Sequence, residues 1–248
     1  MNMFDLTGKK ALVTGVGKAT GLGRSMAQAL KEFGAEVAIT SRSTGCHDIA
    51  KQDGFVSIQG DLANRSDLQR VFDEAVGKLG TLDILINNHA TGKRQHTVDV
   101  PIEIWDLIIE TNLSSIFQLC QLAGRIMLEK EYGKIINMAS MSTFIGIAET
   151  TAYTAAKGGI GLLTKVLATE WSSRGVNVNA IAPGFIETEM TSGLKKDPAR
   201  REYFMSRIPI GRPGKAEDLK GAVVYLASHA SDYVHGAILN VDGGWLAR

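Results

Sequence analysis

Short apolar runs alternate along the chain with longer stretches in which apolar residues recur every three or four positions. Runs over residues 10–14, 36–40, 55–58, 82–87, 134–140, 177–182 and 237–241 read as seven strands, several of them closed by glycine or proline. The longer stretches read as helices. One opens at Gly21 and Gly23 and carries Met26, Ala27, Leu30 and Phe33 on one face. Another starts at Ser66, whose hydroxyl serves as its cap. A long one spans 101–130 and is broken after its first turns. Two more cover 153–174 and, behind a Gly-Arg-Pro-Gly turn, 212–228. Residues 43–53, with Gly45 inside, predict only an abbreviated helix. Strands alternating with helices predict an α/β fold with helices on both faces of a parallel sheet.

Composition narrows the class without changing this picture. A length of 248 residues fits one large α/β domain. With 27 Lys and Arg against 26 Asp and Glu, the formal charge of +1 gives no broad footprint for nucleic acid or a membrane surface. No apolar run reaches the eighteen or so residues needed to span a bilayer. The opening M-N-M-F-D-L-T-G-K-K lacks the apolar core of a signal peptide, so a cytoplasmic protein is expected. Cys46 and Cys120 are too few for a disulfide framework and read as reduced thiols. No Cys/His cluster has the spacing of a metal site, so no metal is expected.

Two stretches carry candidate chemistry. The first is T-G-V-G-K-A-T-G-L-G, between the first strand and the first helix. Glycines there let backbone N–H groups approach a pyrophosphate at the positive end of the helix. Gly15, Gly21, Leu22 and Gly23 are the candidate phosphate-binding residues. Lys18 is either an added phosphate contact or a solvated lysine. After the second strand come Ser41 and Arg42, where an acidic residue would bind an adenine ribose and repel a 2′-phosphate. A hydroxyl followed by a guanidinium suits that phosphate, which favours NADP(H). An arginine stacked on the adenine of NAD(H) is the alternative.

The second stretch is T-A-Y-T-A-A-K, with Tyr153 and Lys157 four residues apart on one helix face. A free tyrosine, with a pKa of about 10, is a poor acid or base near neutrality. An ammonium one turn away is expected to lower that pKa, so that the pair works at neutral pH. Ser140 lies thirteen residues earlier, at the end of K-I-I-N-M-A-S, where its hydroxyl could hold a carbonyl oxygen while the tyrosine protonates it.

This arrangement of Ser140, Tyr153 and Lys157 behind a glycine loop resembles the short-chain dehydrogenase/reductase family, and the resemblance covers essentially the whole chain. It implies a Rossmann-type doubly wound sheet of about seven parallel strands, residues 1–248 forming a single NAD(P)-binding domain. It also implies a hydride-transferring oxidoreductase acting on a carbonyl or secondary alcohol. The catalytic set is then Asn112, Ser140, Tyr153 and Lys157, with Asn112 distorting its helix and holding a water that connects to the lysine. Asp61 would accept from the adenine amino group, with Leu62 beside it. Asn88 belongs to Asn-Asn-His-Ala, where the family has Asn-Asn-Ala-Gly. Tyr153 and Lys157 would also bind the cofactor, the lysine through the nicotinamide ribose. Pro183, Gly184, Ile186 and Thr188 would hold the nicotinamide carboxamide.

The chain departs from the pattern twice. Five residues, not three, separate Gly15 from Gly21, and His89-Ala90 replaces Ala-Gly. His89 is either a structural histidine or a contact to cofactor or substrate. Residues 189–207, charged and poorly patterned, read as a lid over the substrate.

Within the family the chain is most similar to a branch acting on sugar acids, such as gluconate 5-dehydrogenase and 2-deoxygluconate 3-dehydrogenase. The opening M-F-D-L-T-G-K, the A-S-M-S after the fifth strand and the ending S-D-Y-V-H-G…V-D-G-G-W-L-A-R carry that similarity. It implies a small carboxylated carbonyl substrate, held by Ser140 and Tyr153, with Arg94 or Lys93 near its carboxylate. A solvated basic loop is the alternative for that pair. A 3-oxoacyl carrier-protein reductase shares every catalytic motif, and a dinucleotide-sensing regulator without turnover is a rival of another class. A homotetramer is implied, with the 153–174 helix and the C-terminal tail at interfaces, because Trp245 and Leu246 are apolar groups that a monomer would expose.

Overall fold

The computed structural model describes residues 2–188 and 198–247, with backbone only at 198–200. Its centre is a seven-stranded sheet in the order β3-β2-β1-β4-β5-β6-β7. The strands are β1 Lys10–Thr14, β2 Glu36–Ser41, β3 Val56–Gln59, β4 Ile84–Asn87, β5 Gly133–Met138, β6 Val176–Pro183 and β7 Ile238–Val241. Every neighbouring pair is parallel. Parallel neighbours need crossover connections, and helices supply them.

Side chains alternate across each strand, so one apolar run feeds two cores. Leu12, Leu85, Ile135 and Val178 face helices α3 Arg65–Leu79, α5 Ser115–Glu129 and α6 Thr151–Trp171. Their sequence neighbours Val13, Ile84, Ile86 and Ile136 face α1 Leu22–Glu32, α2 Gly45–Asp53 and α8 Lys220–Ala227. The architecture is therefore the doubly wound sheet that the strand–helix alternation predicts. Both cysteines are buried and free, Cys46 in the second core and Cys120 in the first.

Several element ends differ from the sequence reading. The cap of α3 is Asn64, not Ser66: its Oδ1 accepts from the N–H groups of Ser66 and Asp67 at 3.1 Å. An asparagine side chain can reach both amides from one residue outside the helix, which a serine already inside cannot do. The long helical pattern over 101–130 is interrupted after its first two turns, as the sequence predicts. Helix α4 Ile102–Ile109 runs into a π-helical turn, Glu110–Ser114, and then into α5. The 212–228 segment is helical only from its second part. Asp218 accepts from the Arg212 guanidinium and the Lys215 N–H, which holds 212–215 in a turn ahead of a 3₁₀ turn, Ala216–Leu219, and α8.

A third, smaller apolar cluster joins Met141, Phe185, Phe204, Ile208 and Trp245. The Phe204 ring lies 5.4 Å from both the Phe185 and the Trp245 rings. This corrects the expectation for the C-terminal tail. Trp245 is buried within its own chain, and Leu246 is partly buried. Of the stretch read as a lid, 189–197 lie outside the described residues, while Pro198–Met205 forms helix α7. Among the described residues no helix is long and apolar enough to cross a membrane.

Candidate active site

Strand order reverses between β1 and β4, and the crevice at their carboxyl ends is where open α/β sheets take ligands. A cleft of about 580 Å³ lies there. Its walls include Gly15, Lys18, Gly21, Leu22, Ser41, Arg42, Asp61, Leu62, Asn88, Ser140, Tyr153, Lys157, Pro183, Gly184, Ile186 and Thr188. Residues from the ends of six strands, β1 to β6, thus meet in one place. Gly23, Asn112 and Arg94 do not line it.

The glycine loop is shaped by close approach. Gly15 has φ +74°, and a Cβ there would sit 2.6 Å from the His89 Cα. A Cβ on Gly23 would meet the Asn88 Nδ2 at 2.7 Å, so Gly23 seats α1 against the sheet and does not face a ligand. Gly21 caps α1 with no side-chain hydrogen bond, which leaves first-turn N–H groups for an anion. Asn88 locks the loop from the other side: its Nδ2 donates to the carbonyls of Thr14 at 2.9 Å and Gly15 at 3.2 Å.

At the end of β2 the two extra loop residues find their place. The Ser43 hydroxyl donates to the Gly17 carbonyl at 3.3 Å, and the Ser43 N–H donates to the Ser41 hydroxyl at 3.2 Å. Gly17 and Ser43 both line the cleft, and neither was singled out from the sequence as a site residue. The Arg42 guanidinium is 77% exposed and sits 3.9 Å from the Asp61 carboxylate. That is a loose exposed pair, and the guanidinium remains available to an incoming anion. These residues fit a dinucleotide carrying a 2′-phosphate. The glycines leave the room a pyrophosphate needs, and hydroxyls and a cation surround the ribose end.

Tyr153 and Lys157 share one face of α6. The Lys157 ammonium lies 5.7 Å from the centre of the Tyr153 ring and donates to the Met138 carbonyl at 2.5 Å. Burial raises the Tyr153 phenol above its ordinary value, while a hydrogen bond from Ser140 pulls the other way. The expectation that the lysine lowers this pKa is therefore corrected. In the protein alone, desolvation of the phenolate outweighs the opposing hydrogen bond from Ser140. Lys157 itself is lowered to about 8 by burial. Ser140 is fixed by its own turn: its hydroxyl accepts from the Ser142 N–H at 3.1 Å. Thr143 then ties that turn to α6, donating to the Lys157 carbonyl at 3.0 Å.

Asn112 sits at the centre of the π-helical turn, fully buried. Its side chain makes two bonds to one residue, accepting from the Thr91 N–H at 2.8 Å and donating to the Thr91 carbonyl at 2.7 Å. His89, two residues before Thr91, makes the second link to the same turn. The Ser115 hydroxyl donates to the Thr111 carbonyl at 2.7 Å, so it accepts from His89 Nε2–H at 2.7 Å. On its other side, His89 Nδ1 lies 2.8 Å from the Thr14 hydroxyl, which also reaches the Ile86 carbonyl at 3.2 Å. Burial, reinforced by the nearby Lys157 charge, lowers the His89 pKa to about 3. His89 is thus a neutral crosspiece between the end of β1 and the start of α5, although its ring also borders the cleft.

Arg94 comes three residues after Thr91, which lines the cleft. Gly92 packs on the Tyr153 ring, with an added Cβ 3.6 Å from Cδ2, and Arg94 follows two residues later. Its guanidinium is 3.7 Å from the Glu149 carboxylate, and His96 Nε2 is 3.8 Å from the other Glu149 oxygen. Glu149 was missed in the sequence reading, because no spacing rule connects it to Arg94. Among the described residues no group of three or more His, Cys, Asp or Glu side chains could hold a metal.

Comparison with known proteins agrees with this geometry. The profile of the family described as Enoyl-(Acyl carrier protein) reductase matches residues 15–246. The 2-dehydro-3-deoxy-D-gluconate 5-dehydrogenase of Bacillus subtilis is 44% identical over 252 residues, covering 99% of this chain and 97% of that protein. An Agrobacterium tumefaciens protein with the provisional name 2-deoxy-D-gluconate 3-dehydrogenase, solved with bound NADP, is 44% identical with a TM-score of 0.91 and full coverage of both chains. The gluconate 5-dehydrogenase of Burkholderia cenocepacia, solved with NADP and tartrate, is 33% identical with a TM-score of 0.94, covering 100% of this chain and 98% of that one.

Proposed function

Because the chain belongs to the short-chain dehydrogenase/reductase family, whose members are NAD(P)-dependent oxidoreductases, we propose that it interconverts a keto-sugar acid and the corresponding hydroxy acid with NADP(H). The observation that carries this reading is the meeting of Ser140, Tyr153 and Lys157 in the same cleft as the glycine loop. The relatives named for gluconate derivatives, and the tartrate in one of their structures, support the acidic substrate.

The bound dinucleotide supplies or accepts the hydride; the chain's residues position and polarise. Ser140 holds the substrate oxygen. Tyr153, kept protonated by burial, gives that oxygen its proton in the reductive direction and takes it back in the oxidative one. Lys157 supplies positive charge beside the phenol, which helps the tyrosine part with its proton once the site is filled. Asn112 is a positioning residue: it holds the Thr91 loop against the π-helical turn. Gly15, Gly21 and Leu22 take the pyrophosphate, Asp61 and Leu62 the adenine, and Pro183, Gly184, Ile186 and Thr188 the nicotinamide end. Arg94 takes the substrate carboxylate, for which a guanidinium fork is well shaped. We place the reaction in the cytoplasm, and residues 198–205 of the lid region over the substrate.

Ser41, Arg42 and Lys18 form the 2′-phosphate corner. Arg42→Ala is expected to weaken NADPH roughly ten- to a hundredfold, since charge-assisted bonds contribute about 1.5–3 kcal/mol. NADH binding should change little. Titration with both cofactors checks this, and an equal loss for the two would mean that Arg42 merely stacks on adenine.

The assembly is a homotetramer in this reading. Leu162 is 67% exposed on α6 and Val166 lies one turn on, with Phe117 exposed on α5. Such apolar groups on two adjacent helices favour association. Light scattering at micromolar concentration should give four times the 26.7 kDa chain mass. A monomer would refute it.

A panel of keto-sugar acids, uronates, polyols and 3-oxoacyl thioesters tests the substrate class. Turnover of thioesters with none of the sugar acids would assign the chain to carrier-protein reduction.

A further inference from the structure

The lengthened glycine loop leans on the turn that follows β2. Two glycines permit the contact. A Cβ on Gly17 would stand 2.1 Å from the Ser41 Oγ and 2.5 Å from the Ser43 Oγ. A Cβ on Gly45 would stand 2.6 Å from the Gly17 carbonyl oxygen. No side chain could occupy either space, so loop and turn meet as backbone against hydroxyl.

The hydrogen bonds at this meeting run in one direction. The Ser43 hydroxyl donates to the Gly17 carbonyl at 3.3 Å, and the Ser43 N–H donates to the Ser41 hydroxyl oxygen at 3.2 Å. A hydroxyl has one proton and two lone pairs. The Ser43 proton is therefore committed to the loop, and one Ser41 lone pair is filled. What remains at Ser41 is its own proton. Among the described residues its one acceptor is the Ser43 Oγ at 3.2 Å, longer than an ordinary O–H···O bond. The backbone beneath is held separately: the Gly60 N–H donates to the Ser41 carbonyl at 3.0 Å, and Gln59 Nε2 donates to the Arg42 carbonyl at 3.1 Å. The corner thus offers a weakly engaged hydroxyl proton next to the exposed Arg42 guanidinium, and Gly17, Ser41, Arg42 and Ser43 all line the cleft.

We propose that Ser43 is a positioning residue for the cofactor's 2′-phosphate: anchored on Gly17 of the lengthened loop, it turns the Ser41 proton toward a phosphate oxygen. This inference rests on the reading that Ser41 and Arg42 take that phosphate. It gives the longer loop a part in cofactor choice, separate from cradling the pyrophosphate. A phosphate gains a bond from a donor already aimed at it. The ribose hydroxyl of NAD(H) is itself a donor, and it finds one lone pair of Ser41 taken by the Ser43 N–H.

The test is direct binding to the full chain, without substrate. NADPH and NADH differ only in the 2′-phosphate, and the fluorescence of the bound reduced nicotinamide gives both dissociation constants. Ser43→Ala should weaken NADPH about two- to tenfold, the worth of one neutral hydrogen bond, and leave NADH unchanged. Ser43→Thr keeps the hydroxyl and should restore the preference, which a loss of mere loop stability would not explain. In a Ser41→Ala background Ser43→Ala should have no further effect, because Ser43 acts through Ser41. Calorimetry with 2′,5′-ADP, which carries the phosphate corner and no nicotinamide, should show the same loss as NADPH. If Ser43→Ala weakens both dinucleotides equally, or weakens NADPH equally with and without Ser41, the positioning role is wrong while the phosphate corner stands. The same holds if NADPH loses affinity and 2′,5′-ADP does not, or if the preference is unchanged in Ser43→Ala. If the wild type binds NADPH no more tightly than NADH, the corner itself is wrong and the inference falls with it.

Discussion

Tyr153→Phe is expected to lower kcat for carbonyl reduction by about 10²–10⁴-fold, the worth of a positioned general acid. The substitution removes one hydroxyl and almost no volume, so the packing of the ring on Gly92 and of α6 on the sheet is retained. NADPH affinity should stay within about twofold of wild type, because a phenyl ring loses no charge. Lys157→Ala is different in kind. It deletes a buried cation whose hydrogen bond to the Met138 carbonyl braces the end of β5, and it should impair both cofactor binding and turnover. Stopped-flow single turnovers with saturating NADPH separate the two. Retention of more than about a tenth of the rate by Tyr153→Phe would place the acid elsewhere.

His89 should make the fold sensitive to mild acid. Its folded pKa is about 3, against about 6.5 for a histidine in an unfolded chain. Above about pH 6.5 the ring is neutral in both states, and its contribution to stability is fully present. As pH falls from there, the unfolded chain takes up a proton that the folded chain refuses, and stability drops by about 1.4 kcal/mol per unit until about pH 3. The upper limit of the effect is about 5 kcal/mol. Between pH 6.5 and 5 it is about 2 kcal/mol, a range in which most carboxylates still hold their charge. His89→Ala removes the proton uptake. It also deletes the links to Thr14 and Ser115, so it should be less stable at neutral pH yet lose less on acidification. Urea unfolding of both proteins at pH 6.5 and 5 measures the difference. Equal losses would mean that the ring is already charged, or reached by water, in the folded protein.

Much of the architecture is legible in the residues alone, because it rests on patterns of a few positions. Val13 and Ile86 belong to runs short enough to be strands and apolar enough to be buried on both sides. The glycine loop is legible for a related reason: a glycine at Gly15 is the residue that fits against the His89 backbone. What escapes the sequence is decided by contacts between distant segments. The resemblance locates a helix distortion at Asn112, but its π-helical form is not legible there, since the bonds that settle it go to Thr91, twenty-one positions away. Trp245 reads as an exposed apolar group until Phe204 and Phe185 are seen to cover it. The spacing of Tyr153 and Lys157 predicts their shared face correctly, but the sign of the phenol's pKa shift depends on how much water the fold excludes. Glu149 carries no signal of its own. Its position opposite Arg94 follows from the packing of two loops that are 54 residues apart at Thr97 and Thr151.

The central claim is that this cleft reduces keto-sugar acids with NADPH. The most direct measurement is the steady-state rate of NADPH oxidation by purified enzyme on addition of 5-keto-D-gluconate, in parallel with a 3-oxoacyl thioester, and with Tyr153→Phe as the matched control. The account predicts turnover of the keto-sugar acid that the control lacks, together with a much lower kcat/KM for the thioester. Turnover of the thioester alone, or a keto-sugar acid rate that survives in Tyr153→Phe, would contradict it.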